Sequence, residues 1–163
     1  MFAIIGQFSA QICLNGHVLT SLSEASPHLL GAFCSDCGAK TITNCPACKD
    51  KIKGAYKEDV FTVINPTITT PSFCESCGAA FPWTESKIQA AIDLFYEVAE
   101  FDQVDKEKFE SSLNDIISET PRTTLAATRI RKILDKAPPF FIDGFKQIFY
   151  GITVEIAKRL LWP

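Results

Sequence analysis

Four short loops of soft donors constrain this chain more than any other feature: Cys13-Leu-Asn-Gly-His17, Cys34-Ser-Asp-Cys37, Cys45-Pro-Ala-Cys48 and Cys74-Glu-Ser-Cys77. They contain all seven cysteines. Each loop offers two ligands, and eight donors are what two closed tetrahedral zinc sites require. Cys13, His17, Cys34, Cys37, Cys45, Cys48, Cys74 and Cys77 are therefore the expected ligands of two structural Zn2+ ions. His17 qualifies because Asn15-Gly16 is a strong turn signal that folds the imidazole back towards Cys13. His28 follows a proline in a polar loop and has no cysteine beside it. An odd cysteine count at CxxC spacing favours metal-bound thiolates over a disulfide framework.

The run Phe33-Cys-Ser-Asp-Cys-Gly-Ala39 recurs as Phe73-Cys-Glu-Ser-Cys-Gly-Ala79. Gly after the second Cys lets the backbone turn and aim N–H groups at the sulfurs. Each copy is preceded by a loop of another shape. The repeat thus favours tandem ribbons, with Cys13/His17 joined to Cys34/Cys37 and Cys45/Cys48 joined to Cys74/Cys77. Val18-Leu-Thr20 and Val60-Phe-Thr-Val-Ile64 would supply extended ribbon segments. A RING-like cross-brace satisfies the same ligand count. So does a nested scheme pairing Cys34/Cys37 with Cys45/Cys48. The β-prone Lys40-Thr-Ile-Thr43 opposes the nested scheme, because a strand at ~3.3 Å per residue holds its ends apart.

Apolar content of 47% and charged content of 21% are those of a globular chain. No run of about 18 apolar residues exists, so no spanning helix is expected. The opening Met1-Phe-Ala-Ile-Ile-Gly6 lacks the basic region and long apolar stretch of a signal peptide. A cytoplasmic protein is expected. The formal charge is −3. It becomes about −6 once seven thiolates and two divalent ions are counted, which disfavours nucleic acid as a partner. Residues 85–119 carry ten acids against three lysines, and residues 120–163 carry eight bases against three acids. Halves of opposite sign are expected to face each other within or between subunits. The alternative of a nucleic-acid-binding ribbon would use Lys49, Lys51, Lys53, Tyr56 and Lys57. Lysines guarding an exposed sheet edge account for the same residues.

In chain order, residues 2–12 alternate around Phe2, Ile4, Phe8 and Ile12 and predict one strand. Residues 20–32 read as a connecting loop with a single helical turn. Phe81-Pro-Trp-Thr84 marks a boundary between a double zinc-ribbon module, residues 1–83, and a helical domain, residues 84–163. Thr84 is the expected cap of a first helix with Ile88, Ala91, Ile92, Phe95 and Ala99 on one face. Asp105 would cap a second, burying Phe109, Leu113, Ile116 and Ile117. Thr120-Pro121 would open a third, burying Ala126, Ile130, Ile133, Leu134 and Ala137. A last helix over about 140–161 would bury Phe141, Phe145, Ile148, Phe149, Ile152, Ile156 and Leu160. Such a stripe, with Trp162 beyond it, fits an interfacial membrane helix, but packing in a bundle or against another subunit explains it better. The fold class is α+β: two small zinc-ribbon-like β modules followed by an all-α region of about four helices.

No phosphate-cradling glycine loop, GxSxG elbow or HExxH appears, and no catalytic or cofactor-binding residue is expected beyond the metal ligands. The motifs from Cys13-x-Asn-Gly-His17 through both FCxxCGA repeats to Phe81-Pro-Trp-Thr84 resemble those of a bacterial family of unknown function, with N-terminal zinc-ribbon motifs and a helical C-terminal part. The likeness is specific over residues 11–84. It implies a bacterial cytosolic zinc protein and brings no established activity. The reading that follows is a non-catalytic adaptor whose ribbons present a rigid surface to a protein partner while the helices oligomerise or dock.

Overall fold

Short strands build the first half of the chain in the computed structural model, which describes residues 6–57, 66–98 and 101–163. They are β1 (Gln7–Ser9), β2 (Gln11–Cys13), β3 (Val18–Thr20), β4 (Thr41–Ile42) and β5 (Lys53–Tyr56). β1 pairs antiparallel with β5, and a separate sheet has the order β3-β2-β4. Its register sets Ile12 opposite Ile42 and Cys13 opposite Thr41. Over its described part, the strand expected at residues 2–12 is two strands that serve different sheets. The switch falls at Ala10, which is fully buried and donates its N–H to the Ile52 carbonyl at 2.8 Å, while the Ser9 carbonyl accepts from the Ser23 N–H. Residues 1–5 and the segment Val60–Ile64 lie outside the described residues.

The connection from β3 to the second donor loop contains one 3-10 turn, Pro27–Leu29, as its composition suggests. Gln11 anchors it. Its Nε2 donates to the Gly31 carbonyl and to Thr41 Oγ1, both at 2.9 Å, and its Oε1 accepts from the Gly31 N–H. A buried amide with its partners supplied on both sides orders a loop that has few apolar contacts.

The chain divides into two compact units, Met1–Thr84 and Glu85–Pro163. The first has a small interior of Ala10, Ile12, Cys45, Ile52, Cys74, Phe81 and Trp83, with Val18, Ile42 and Ile68 packed against it. Among the described residues five helices follow: α1 (Pro82–Tyr96), α2 (Gln103–Ile117), α3 (Thr123–Leu134), α4 (Pro139–Phe149) and α5 (Glu155–Leu161). Among the described residues no helix is long and apolar enough to cross a membrane.

Three helix starts differ from their sequence expectations. α1 begins at Pro82, where a missing N–H costs nothing. Thr84 lies inside the helix, wholly buried, with Oγ1 donating to the Ser72 carbonyl at 2.9 Å. α2 is capped by Asp102, whose carboxylate accepts the Asp105 N–H at 2.8 Å, a stronger placement than Asp105 because Asp102 is extended and free to reach back. α3 begins at Thr123, because the Thr123 hydroxyl ties down the preceding turn. It donates to the Ser118 carbonyl and accepts from the Thr120 N–H.

The long last helix is split. α4 ends where Gly151 meets the β-branched run Ile152-Thr-Val154. The Thr153 hydroxyl donates to the Phe149 carbonyl at 2.8 Å, and the Val154 N–H reaches the Ile116 carbonyl at 3.0 Å. The chain restarts in a new phase. α5 buries Ala157 and Leu161, and leaves Ile156 and Leu160 exposed at 45% and 39%.

Inside the second unit the phenylalanines form a connected cluster. Phe95 lies 4.5 Å from Phe101 and 4.2 Å from Phe109 between ring centroids, and Phe109, Phe141, Phe145 and Phe149 continue it. α2 packs on α3, and α3 on α5. Of the two oppositely charged halves, only Arg122–Asp115 (3.1 Å) and Lys136–Asp105 (3.7 Å) pair across α2 and the chain that follows it, among the described residues. Phe109→Ala should cost about 3–5 kcal/mol in a denaturant titration, as expected for a fully buried aromatic. Ile156→Ser should stay within about 0.5 kcal/mol of the parent. Equal losses at the two positions would mean that α5 follows the continuous stripe after all.

Candidate metal centres

Each donor loop is a tight reversal closed by backbone hydrogen bonds. In the second loop the Gly38 N–H donates to the Cys34 carbonyl (2.9 Å) and the Cys34 N–H to the Ala39 carbonyl (2.8 Å). The fourth repeats this with Gly78, Cys74 and Ala79, both bonds at 2.8 Å. Gly38 and Gly78 sit at φ +69° and +74°, a region glycine enters without steric penalty. The third loop has the same bonds, with the Lys49 N–H on the Cys45 carbonyl and the Cys45 N–H on the Asp50 carbonyl. Here a lysine stands in the left-handed position, at φ +67°. Nothing in a single sequence marks Lys49 as strained. The first loop is one residue longer; the Gly16 N–H donates to the Cys13 carbonyl and the Cys13 N–H to the His17 carbonyl, both at 2.9 Å.

These loops bring the eight donors together in two sets, Cys13, His17, Cys34 and Cys37, and Cys45, Cys48, Cys74 and Cys77. Within each set all ligand atoms lie within 4.8 Å of one another. This is the tandem arrangement; neither the cross-brace nor the nested grouping is formed. β4 lies between Cys37 and Cys45 and pairs with β2, so the linker is extended, as its composition suggests. His28 is exposed on the 3-10 turn, apart from both sets.

The spacings can be tested against a bound ion. Four ligands around zinc at about 2.3 Å from sulfur and 2.0–2.1 Å from nitrogen give edges of about 3.8 Å between sulfurs and about 3.6 Å between sulfur and nitrogen. Cys13 Sγ–Cys37 Sγ and Cys48 Sγ–Cys74 Sγ are 3.7 Å, and Cys45 Sγ–Cys77 Sγ is 3.9 Å. His17 Nδ1 is 3.6 Å from both Cys13 Sγ and Cys34 Sγ. A disulfide would need about 2.05 Å. The donor sets fit a tetrahedral metal.

The electrostatics agree. The Ala39 N–H, with Asn15 and His17 beside it, holds the Cys37 thiol down to about 6. The N–H groups of Cys77 and Ser76 hold Cys74 at about 7. The Asp50 N–H favours the Cys48 thiolate, but desolvation and the sulfurs of Cys77, Cys74 and Cys45 outweigh it and push Cys48 up to about 12. Burial and the sulfurs of Cys37 and Cys34 likewise push Cys13 up, against N–H groups of His17 and Asn15. Sulfurs this close cannot all ionise by themselves, and a cation between them inverts that balance.

Outside the ligands, the second cluster is clasped by contacts the sequence does not announce. Ser76 Oγ donates to Asp50, and Lys53 pairs with Glu75. Lys51 pairs with Glu24 at 2.9 Å. Burial works against the Glu24 charge, but the Ser9 hydroxyl and N–H, with Lys51, hold its carboxyl down to about 2. Lys49 Nζ donates to the Pro46 carbonyl at 2.6 Å, and Lys57 Nζ lies 5.7 Å above the Phe8 ring. The basic stretch is thus largely compensated within its own unit. Lys49→Gly should stabilise the metal-loaded protein by about 1 kcal/mol and Gly78→Ala should destabilise it by about the same, since the left-handed region penalises a Cβ. Denaturant midpoints check both signs.

No curated protein and no solved structure matches the chain. A family model does: it is described as "Uncharacterized protein conserved in bacteria (DUF2321)" and matches residues 6–161. With two clusters of cysteine and histidine that could hold metal, followed by a helical C-terminal part, the chain belongs to that bacterial family.

Proposed function

We propose that this is a non-catalytic zinc protein of the bacterial cytoplasm, in which two Zn2+ ions scaffold a surface that docks another protein. The first ion is held by Cys13, His17, Cys34 and Cys37, and the second by Cys45, Cys48, Cys74 and Cys77. One observation carries the reading: each set gathers four donor atoms within 4.8 Å of one another, and four protein ligands on zinc would leave no position for water or substrate. Bound zinc supplies folding free energy and fixed geometry here. The protein's own residues do the rest, turning the four loops through Gly16, Gly38, Lys49 and Gly78 and aiming N–H groups at the sulfurs.

The docking surface has its best support beside the first cluster. Leu29, Leu30 and Phe33 are exposed at 41%, 42% and 66%. Leu29 and Phe33 wall a groove of about 320 Å³ that reaches His17 and Cys34. Phe33 directly precedes a ligand, so its position depends on the metal. The nucleic-acid alternative loses ground because Lys51 and Lys53 are ion-paired and Lys49 is bonded to backbone; it would require an affinity that falls steeply with salt.

Elemental analysis should find two zinc ions per chain. Cys37→Ser should lose one of them at a cost on the order of several kcal/mol, leaving the first unit sensitive to protease. Unchanged stoichiometry would contradict the ligand assignment. Phe33→Asp should keep both ions yet lose the protein that crosslinks to the parent chain in its bacterial host. Equal crosslinking by the two would sink the docking role.

A further inference from the structure

Cys74 and Cys77, which complete the second cluster, are flanked on both sides by contacts to a single residue of the first. Upstream, Thr70 Oγ1 donates to the Gly16 carbonyl at 2.9 Å. Downstream, Trp83 lies against Gly16 so closely that a Cβ there would sit 3.2 Å from Trp83 Cβ and 3.3 Å from its Cγ. Gly16 holds φ +91° and immediately precedes His17. Trp83 is itself pinned, with Nε1–H donating to the Pro71 carbonyl at 2.7 Å and its ring stacked on Phe81 at 4.6 Å between centroids. One glycine within the first donor loop therefore anchors both chain segments that deliver the second cluster's last two ligands.

A second route runs through the sheet. β2 ends on Cys13 and sends Ile12 into the interior that also contains Cys45 and Cys74. β4, which joins Cys37 to Cys45, is paired to β2.

We propose that the two metal sites are energetically coupled through Gly16, Thr70 and Trp83, so that an ion in either one raises the affinity of the other. The inference rests on the reading of both clusters as zinc sites. Closing the second site requires the long excursion between Cys48 and Cys74 to return, which costs chain entropy. With an ion on Cys13 and His17, the Gly16 turn is set. Thr70 and Trp83 then have a fixed partner, and part of that ordering is already complete when the second ion arrives. Linkage makes the effect mutual: each ion favours the other by the same factor. Couplings of this kind amount to about 5–150-fold. If the contacts only added stability, changing them would weaken both sites and leave unchanged the factor by which one ion favours the other.

The experiment is a Co2+ titration of the full chain. A site of three thiolates and one imidazole and a site of four thiolates have different ligand fields, so their visible bands report the two fillings separately, while native mass spectrometry counts singly loaded chains. In the parent protein the two bands should rise together, with few singly loaded molecules at half saturation. Thr70→Val keeps the side-chain shape and removes the bond to Gly16. Trp83→Phe keeps the stack and removes the bond to Pro71. Each should separate the two fillings and reduce the coupling about 10-fold. Independent filling in the parent overturns the proposal, as does concerted filling that Thr70→Val leaves intact in a chain folded by circular dichroism. If no thiolate–cobalt bands appeared at all, the zinc reading itself would fall, which is a different outcome from two sites filling independently.

Discussion

Mutual repulsion among crowded sulfurs is the constraint from which the first unit takes its form. Three or four thiols within 4.8 Å of one another resist joint ionisation, and backbone N–H groups relieve only some of them. A divalent cation between them would remove the conflict, and the sulfur–sulfur separations of 3.7–3.9 Å suit tetrahedral zinc. The loops follow from this. Each must reverse within a few residues and direct N–H groups inward, which requires the left-handed backbone at Gly38 and Gly78 and imposes it on Lys49.

The second cluster is part of the interior and not an attachment to it. Cys45 and Cys74 belong to the same buried group as Ile12, Ile52, Phe81 and Trp83. The strands around them are only two to four residues long, too short to form a stable sheet on their own. A small unit with so little apolar area relies on a metal or an equivalent staple. The helical unit is built the other way, around a connected cluster of phenylalanines. Its stability rests on burial, and it contains no cysteine.

Much of this was legible in the residues themselves. Two-donor loops at zinc spacing, the repeated FCxxCGA and the Asn15-Gly16 turn single out the eight donors because ligation chemistry admits few residue types. The stripes of α2 and α3 were legible because Phe109, Leu113, Ile116 and Ile117, like Ile130, Ile133 and Leu134, keep helical period and are all buried. The break between α4 and α5 was hidden because the apolar period runs on through Ile152; a tertiary bond from Val154 to the Ile116 carbonyl decides it. The lysines of residues 49–57 read as guards of an exposed edge, with a nucleic-acid patch as the alternative; their pairing with Glu24 and Glu75 was hidden because those partners are remote in the chain. The tie between the first donor loop and the segment after the fourth rests on Trp83 meeting Gly16, a contact that no local pattern encodes.

X-ray absorption at the zinc edge, recorded on protein purified without chelator, tests the central claim most directly. The account predicts a first shell of sulfur at about 2.3 Å with a minor nitrogen contribution near 2.0 Å, averaged over a three-sulfur, one-imidazole site and a four-sulfur site. A shell rich in oxygen would contradict it, as would protein that shows no zinc edge at all.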